Sequence, residues 1–279
     1  MLKRTLPTPL TLSTTVKTSV LVNGLAVPMK QVVQSVARFC RPLVIYNEGS
    51  GYELSFPGSA FALRVGGRNY LIASLHQLGK GEGARDPGEI VILDRRVTPI
   101  PAITAREAAR EKDLDFFALT FPETSRDRDL TPLFCRFDLD RIFDASEAPA
   151  GNKVLSYFAI GFPSGRQDYD VDWDEETQTG SLSSATSRWT TISLESVDRN
   201  AFDRDYLEPY QMSEEAAAAL GDPDGLSGSP VFMLYQDSQG QAHLAIAGMI
   251  QWASKAGRVN VLPSYYLREA LKLPSIVQQ

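Results

Sequence analysis

Residues 225–232 read Gly-Leu-Ser-Gly-Ser-Pro-Val-Phe, "GLSGSPVF". Two glycines and two serines stand directly before an apolar run. Small residues there serve either a tight turn without chemistry or a loop that holds a serine hydroxyl over backbone N–H donors. The second use needs partners. A serine nucleophile requires an imidazole to take its proton, a carboxylate to fix the imidazole, and two donors for the oxyanion. The chain has only two histidines, His76 and His243. His76 ends the apolar run in "RNYLIASLHQLG", where a strand turns into a loop and can hold a side chain at a cleft. His243 opens a strand after the turn "DSQG" and reads as a solvent-facing strand residue.

Composition narrows the class. The 279 residues are 43% hydrophobic and 22% charged, enough for a sizeable core in one large or two small domains. A net charge of −6 argues against nucleic acid or an anionic membrane as the main partner. Two cysteines, Cys40 and Cys135, fit a reducing compartment. No run approaches a membrane span or a signal core, so a cytoplasmic location is expected.

Along the chain, "MKQVVQSVARF" places Met29, Val32, Val33, Val36 and Phe39 on one helical face. Short strand-like runs follow: "PLVIYN", "GSAFALRV", "NYLIASL", "EIVILD" and "DFFALTF". After a linker at 141–152 a second series begins: "KVLSYFAIGF", "GSLSSATSRWTTISL", "SPVFMLYQ", "AHLAIAGMIQWA" and "RVNVLP". The tail "SYYLREALKL" reads as a helix with Ser264 as its N-cap. The pattern predicts an all-β protein of two barrel-like halves, with a single sandwich as the alternative. The expected division is an extension and helix over 1–40, a first barrel over 41–140, a second over 153–263, and a helix and tail over 264–279.

The acidic stretch "DYDVDWDEE" alternates Asp168, Asp170, Asp172 and Asp174 with larger residues. A calcium loop needs glycine at its sixth position, where Trp173 stands, so a strand with one wet face is expected and no metal site. "MSEEAAAALGDPD" reads as a short helix capped by Ser213 and stopped at Gly221, leading into the serine loop.

Taken in order, "GSAFALRVGGRNYLIASLHQL", "DLDFFALTF", "YFAIGFPSG" and "GLSGSPVF…AIAGMIQWA" resemble the trypsin-like, chymotrypsin-fold serine peptidases, in particular the bacterial branch without disulfides. The resemblance spans roughly residues 30–273 and implies two six-stranded β-barrels with the site in the cleft between them. It implies His76 as the base, Asp115 as the orienting carboxylate with Asp113 as competitor, and Ser227 as the nucleophile with Ser229 as runner-up. The oxyanion donors it implies are the N–H groups of Gly225 and Ser227. Gly221, Asp222, Gln251, Trp252 and Ala253 are the implied pocket residues, with Gly221 at the base where trypsin itself has an aspartate. Leu226 stands where digestive members carry the aspartate that pairs with a freed N-terminus, so that activation route is absent.

The implied function is a serine endopeptidase of restricted specificity or gated by a regulatory protein partner. Its substrate is a polypeptide, and it requires no cofactor. The alternatives are a catalytically inactive module on the same fold and an esterase using the same triad. A histidine base predicts that activity falls towards acid pH as the imidazole protonates. A pH–rate profile over pH 5 to 8 checks this, and a flat profile would contradict it.

Overall fold

A computed structural model describes residues 19–22, 25–47, 53–79, 84–93, 99–106, 114–125, 127–136, 152–176, 179–200 and 204–271. In chain order the strands begin with β1 (Ser19–Val22) and β2 (Leu25–Pro28), followed by helix α1 (Val32–Ala37). Next come β3 (Cys40–Tyr46), β4 (Leu54–Val65), β5 (Arg68–Ser74), β6 (Ile90–Leu93), β7 (Pro99–Pro101), β8 (Thr104–Arg106) and β9 (Phe116–Phe121). The small strands β10 (Thr124–Ser125), β11 (Arg128–Asp129) and β12 (Cys135–Arg136) end the first half. The second half holds β13 (Lys153–Gly161), β14 (Gln167–Asp174), β15 (Thr179–Ser187), β16 (Thr190–Ser196) and β17 (Glu208–Met212). After α2 (Glu214–Leu220) come β18 (Pro230–Gln236), β19 (Ala242–Ala253), β20 (Arg258–Pro263) and α3 (Ser264–Ala270).

The protein is all-β with two barrel-like sheets, as expected. The second sheet runs β18-β13-β16-β17-β20-β19, and β18 also pairs with β19, which closes six strands into a ring. The first runs β7-β6-β3-β4-β5-β9-β8. Its two end strands are separated in sequence only by Ala102 and Ile103, so one bent segment serves both edges and curls the sheet. Ile103 N–H donates to the Thr120 carbonyl at 2.9 Å across that bend.

The burial pattern explains why the strand runs are apolar at every position. In β9, Phe117 and Leu119 enter the interior of the first sheet, while Phe116 and Ala118 join a core shared with the second half. Alternate side chains leave opposite faces of a strand, so a strand buried on both faces loses the polar alternation of an exposed sheet. The shared core sets Phe61 edge-on to Phe232 at 6.4 Å and stacks Phe158 on Phe232 at 5.3 Å. Leu226, Val231 and Val261 fill the interior of the second barrel.

Several local features differ from the sequence reading. Residues 19–22 and 25–28, expected only as part of an N-terminal extension, form β1 and β2, which extend the second sheet through a parallel pairing of β1 with β19. The Asn23-Gly24 pair between them is a common hairpin signal. The helix read over 29–39 is a 3-10 turn over Met29–Gln31 followed by the six residues of α1. The final helix starts at Ser264 with Pro263 as its N-cap, because β20 runs through Pro263 directly into it. Ser213 does cap α2, accepting from Ala216 N–H at 3.2 Å. The linker at 141–152 lies, except for Asn152, outside the described residues. Cys40 is buried and its thiol donates to the Val36 carbonyl at 3.6 Å. No helix is long and apolar enough to cross a membrane among the described residues.

On β17, burial pushes the Glu208 carboxyl above its ordinary range, opposed by the Tyr210 hydroxyl and the Arg199 charge. Tyr210 donates to Glu208 Oε2 at 3.1 Å. A raised folded-state value means the native chain holds this proton more tightly than the unfolded chain. The stabilising contribution is present below the unfolded value and is lost as pH rises through the folded one. Glu208→Gln is therefore expected to raise the melting temperature more at pH 8 than at pH 4. Thermal melts at both values check this, and the reverse order would refute it.

Candidate active site

His76 sits in the 3-10 turn Leu75–Leu78 that follows β5. Ser74 and Gln77 form a reciprocal capping box at the start of that turn. Asp115 precedes β9, which pairs with β5, and the two strand ends therefore meet. The Asp115 carboxylate accepts from His76 backbone N–H at 2.9 Å through Oδ1. Its Oδ2 lies 2.6 Å from His76 Nδ1. The Asp115 carbonyl accepts from Leu75 N–H at 3.1 Å. One residue thus holds the turn by its backbone and the imidazole by its side chain. To do so Asp115 adopts a φ of 48°, an uncommon conformation for a residue with a Cβ. Asp113, the competing carboxylate, lies outside the described residues.

The serine loop hangs between α2 and β18. Leu226 is completely buried in the second barrel. Apolar burial of this side chain holds the loop against the barrel interior. Gly225 has φ 87°, and a Cβ there would fall 2.6 Å from Ser164 N. Gly228 has φ 83°, and a Cβ there would fall 2.0 Å from the Ser59 carbonyl oxygen. Both positions therefore exclude a side chain by conformation and by contact. Ser229, the runner-up nucleophile, is fully buried, and its hydroxyl has no hydrogen-bond partner among the described residues. Ser227 is only partly buried.

The first barrel grips this loop from the other side. Ser59 N–H donates to the Ser227 carbonyl at 3.1 Å, and Gln77 Nε2 donates to the same oxygen at 2.6 Å. Ser59 Oγ donates to the Gly225 carbonyl at 2.7 Å and accepts from Phe162 N–H at 2.8 Å. The carbonyls on both sides of Leu226 are therefore taken, while the N–H groups of Gly225 and Ser227 donate to no protein acceptor among the described residues. The Ser227 hydroxyl donates to the Gln251 carbonyl at 3.0 Å and makes no hydrogen bond to His76.

A cavity of about 760 Å³ is lined by His76, Asp115, Gln251 and Trp252 together with Arg204, Tyr206, Leu207 and Arg258. Gly221, Asp222 and Ala253 do not line it. Gly221 ends α2 at φ 71°. Asp222 is exposed and paired with Lys255 at 3.0 Å, and this bond holds its carboxyl below the usual range. His243 is engaged elsewhere, 2.8 Å from Asp237 and stacked on Tyr235. The acidic β14 pairs only with β15 as a two-stranded ribbon, and no carboxylate cluster fit for a metal occurs among the described residues.

Sequence reading missed Ser59 and Gln77. Gln77 carried a signal, since "SLHQ" has the Ser-x-x-Gln spacing of a capping box. Ser59 carried none, because the partners of its hydroxyl lie more than 100 residues away.

No family model matches the chain, and no curated protein matches it. A search of solved structures finds similarity to the crystal structure of Rv3671c protease in its inactive form, at a TM-score of 0.43 and 15% identity. That match covers 88% of this chain and 93% of the other.

The two buried residues of the serine loop predict opposite behaviour. Leu226→Ala is expected to cost about 2–5 kcal/mol of stability through the cavity it leaves. Ser229→Ala, which removes an unpartnered buried hydroxyl, is expected to change stability by less than about 1 kcal/mol. Urea unfolding of both variants checks the pair. A Ser229→Ala loss as large as that of Leu226→Ala would show that the hydroxyl has an unseen partner.

Proposed function

We propose that the chain is a serine endopeptidase acting on polypeptides, with Ser227, His76 and Asp115 as its triad. The observation that carries this reading is the double hold of Asp115 on His76, beside a serine loop with two unclaimed N–H donors. In this reading the Ser227 Oγ forms a bond to the substrate carbonyl carbon while its proton passes to His76 Nε2. Asp115 accepts from Nδ1–H and stabilises the imidazolium. The negative oxygen of the tetrahedral intermediate accepts from the N–H groups of Gly225 and Ser227, each worth about 3 kcal/mol in the transition state. Collapse expels the amine, which takes the proton from Nε2, and water then repeats the sequence on the acyl-enzyme. The chemistry calls for no metal or organic cofactor.

Gly221 and Ala253 border the primary pocket in this proposal. The Asp222 charge is met by Lys255, which favours a small to medium apolar residue over a basic one at the cut. The reading is completed by a cytoplasmic location and by specificity supplied by the cleft or by a protein partner.

The rival is an inactive binding module on the same fold. It is favoured by the Ser227 hydroxyl, which is turned to the Gln251 carbonyl and not to the imidazole. In the peptidase reading, rotation about the Ser227 Cα–Cβ bond releases it, and substrate or a partner drives that rotation.

Fluorophosphonate labelling followed by peptide mapping separates the two. The expected result is stoichiometric label on Ser227, abolished in Ser227→Ala and reduced at least a hundredfold in His76→Ala. An unlabelled protein, with and without polypeptide substrates present, would support the inactive module. Label on Ser229 would overturn the assignment of the nucleophile.

A further inference from the structure

His76 and Ser227 belong to different halves of the molecule, and the Ser227 hydroxyl is bonded to the Gln251 carbonyl and not to the imidazole. Among the described residues, the turn Leu75–Leu78 and the serine loop over 225–229 share one hydrogen bond, and Gln77 makes it. Its Nε2 donates to the Ser227 carbonyl at 2.6 Å and, less closely, to the Ser59 carbonyl at 3.4 Å. Its Oε1 accepts from Ser74 N–H at 3.1 Å, at the start of the turn. A capping box asks only for that acceptor. The donor end of the same amide is directed at the other half of the protein.

The surrounding backbone leaves room for this arrangement. A Cβ on Gly58 would fall 2.0 Å from Gln77 Nε2, and one on Gly228 would fall 3.2 Å from Gln77 Oε1. Gly58 has no positive φ, so its conformation does not call for glycine. The space that the amide occupies does.

These contacts form one continuous run. Asp115 holds the ring and the backbone of His76, Gln77 follows His76 in the same turn, and its amide holds the carbonyl next to the Cα that carries the Ser227 side chain. Ser59 N–H bonds the same carbonyl, but it ties the loop to β4 and not to the turn. Without the amide the loop is free to shift against the imidazole, and a displacement of about 1 Å can slow a reaction about a hundredfold.

We infer that Gln77 is a positioning residue: its amide sets the Ser227 loop against the turn that carries His76, so that reaction at Ser227 depends on it. The effect on reaction rests on the peptidase reading, whereas the hold on the loop does not.

Two variants separate the two ends of the amide. Gln77→Glu keeps an acceptor for Ser74 N–H and lacks the donor to Ser227, while Gln77→Met lacks both at similar length. The first readout is hydrogen exchange, followed by nuclear magnetic resonance, at Gly228 and Ser229 N–H, which donate to the Ile250 and Leu226 carbonyls. Exchange at both is expected to quicken about tenfold in either variant, the worth of one hydrogen bond, with exchange along β5 unchanged. The second readout is fluorophosphonate labelling of Ser227. Its limiting rate is expected to fall about ten- to hundredfold, with the half-saturating reagent concentration unchanged. A glutamine that only caps the turn would leave both readouts intact in Gln77→Glu, and that result would overturn the inference. Faster loop exchange with an unchanged labelling rate would overturn it as well.

Gly58→Ala tests the same contact without changing residue 77, because its Cβ displaces the amide. It is expected to reproduce the losses in the unsubstituted chain and to add nothing to Gln77→Ala, where the space is empty. Equal losses in both backgrounds would count against the inference. Failure of the peptidase reading looks different: the unsubstituted chain would take no label, while faster exchange in the Gln77 variants would still uphold the hold on the loop.

Discussion

Both sheets of this protein carry apolar side chains on two faces, and one face of each can be buried only against the other sheet. Phe61, Ile72 and Phe116 from the first meet Phe158, Phe232 and Leu262 from the second in one continuous core. At about 25 cal/mol for each Å² of apolar surface removed from water, such a contact contributes more than any single polar interaction at the site. The site depends on it, since His76 and Asp115 belong to the first sheet and Ser227 to the second.

Packing of that kind sets distances only approximately, and hydrogen bonds across the seam refine them. Ser59 reaches from β4 to both Gly225 and Phe162. Gln77 uses its carbonyl oxygen to cap the turn that carries His76, and its amide nitrogen to hold the Ser227 carbonyl. A single side chain thereby ties the turn that carries His76 to the loop that carries Ser227. A partly buried amide bonded at both ends is costly to rearrange, because each lost bond leaves a partly desolvated polar atom. Leu226 secures the same loop from below by apolar burial, which needs neither a charge nor a cleavage event.

Much of this was legible in the chain. Strand runs, turns and the cap of α2 follow from short apolar runs bounded by turn residues and from Ser213 and Gly221. His76, Asp115 and Ser227 could be singled out from motif order. Less was legible where one segment serves two purposes. The bent stretch over β7 and β8 shares no obvious repeat, and the pairing of β1 with β19 joins residues more than 200 positions apart. The start of α3 was displaced by one residue because a strand ran into it without a polar cap.

Local chemistry by itself determined which residues are candidates for the proposed triad: a histidine at a strand end, an aspartate before an apolar strand, and a serine among glycines. Those properties depend on near neighbours in sequence. Only the tertiary structure decided that the Asp115 carboxylate engages both the backbone and the ring of His76, that Ser229 is fully buried while Ser227 is only partly so, and that Asp222 is matched by Lys255. It also decided that Arg204 and Arg258, 54 residues apart in sequence, line one cavity with Trp252. Such relations come from the closure of two sheets and the packing between them, and no spacing along the chain encodes them.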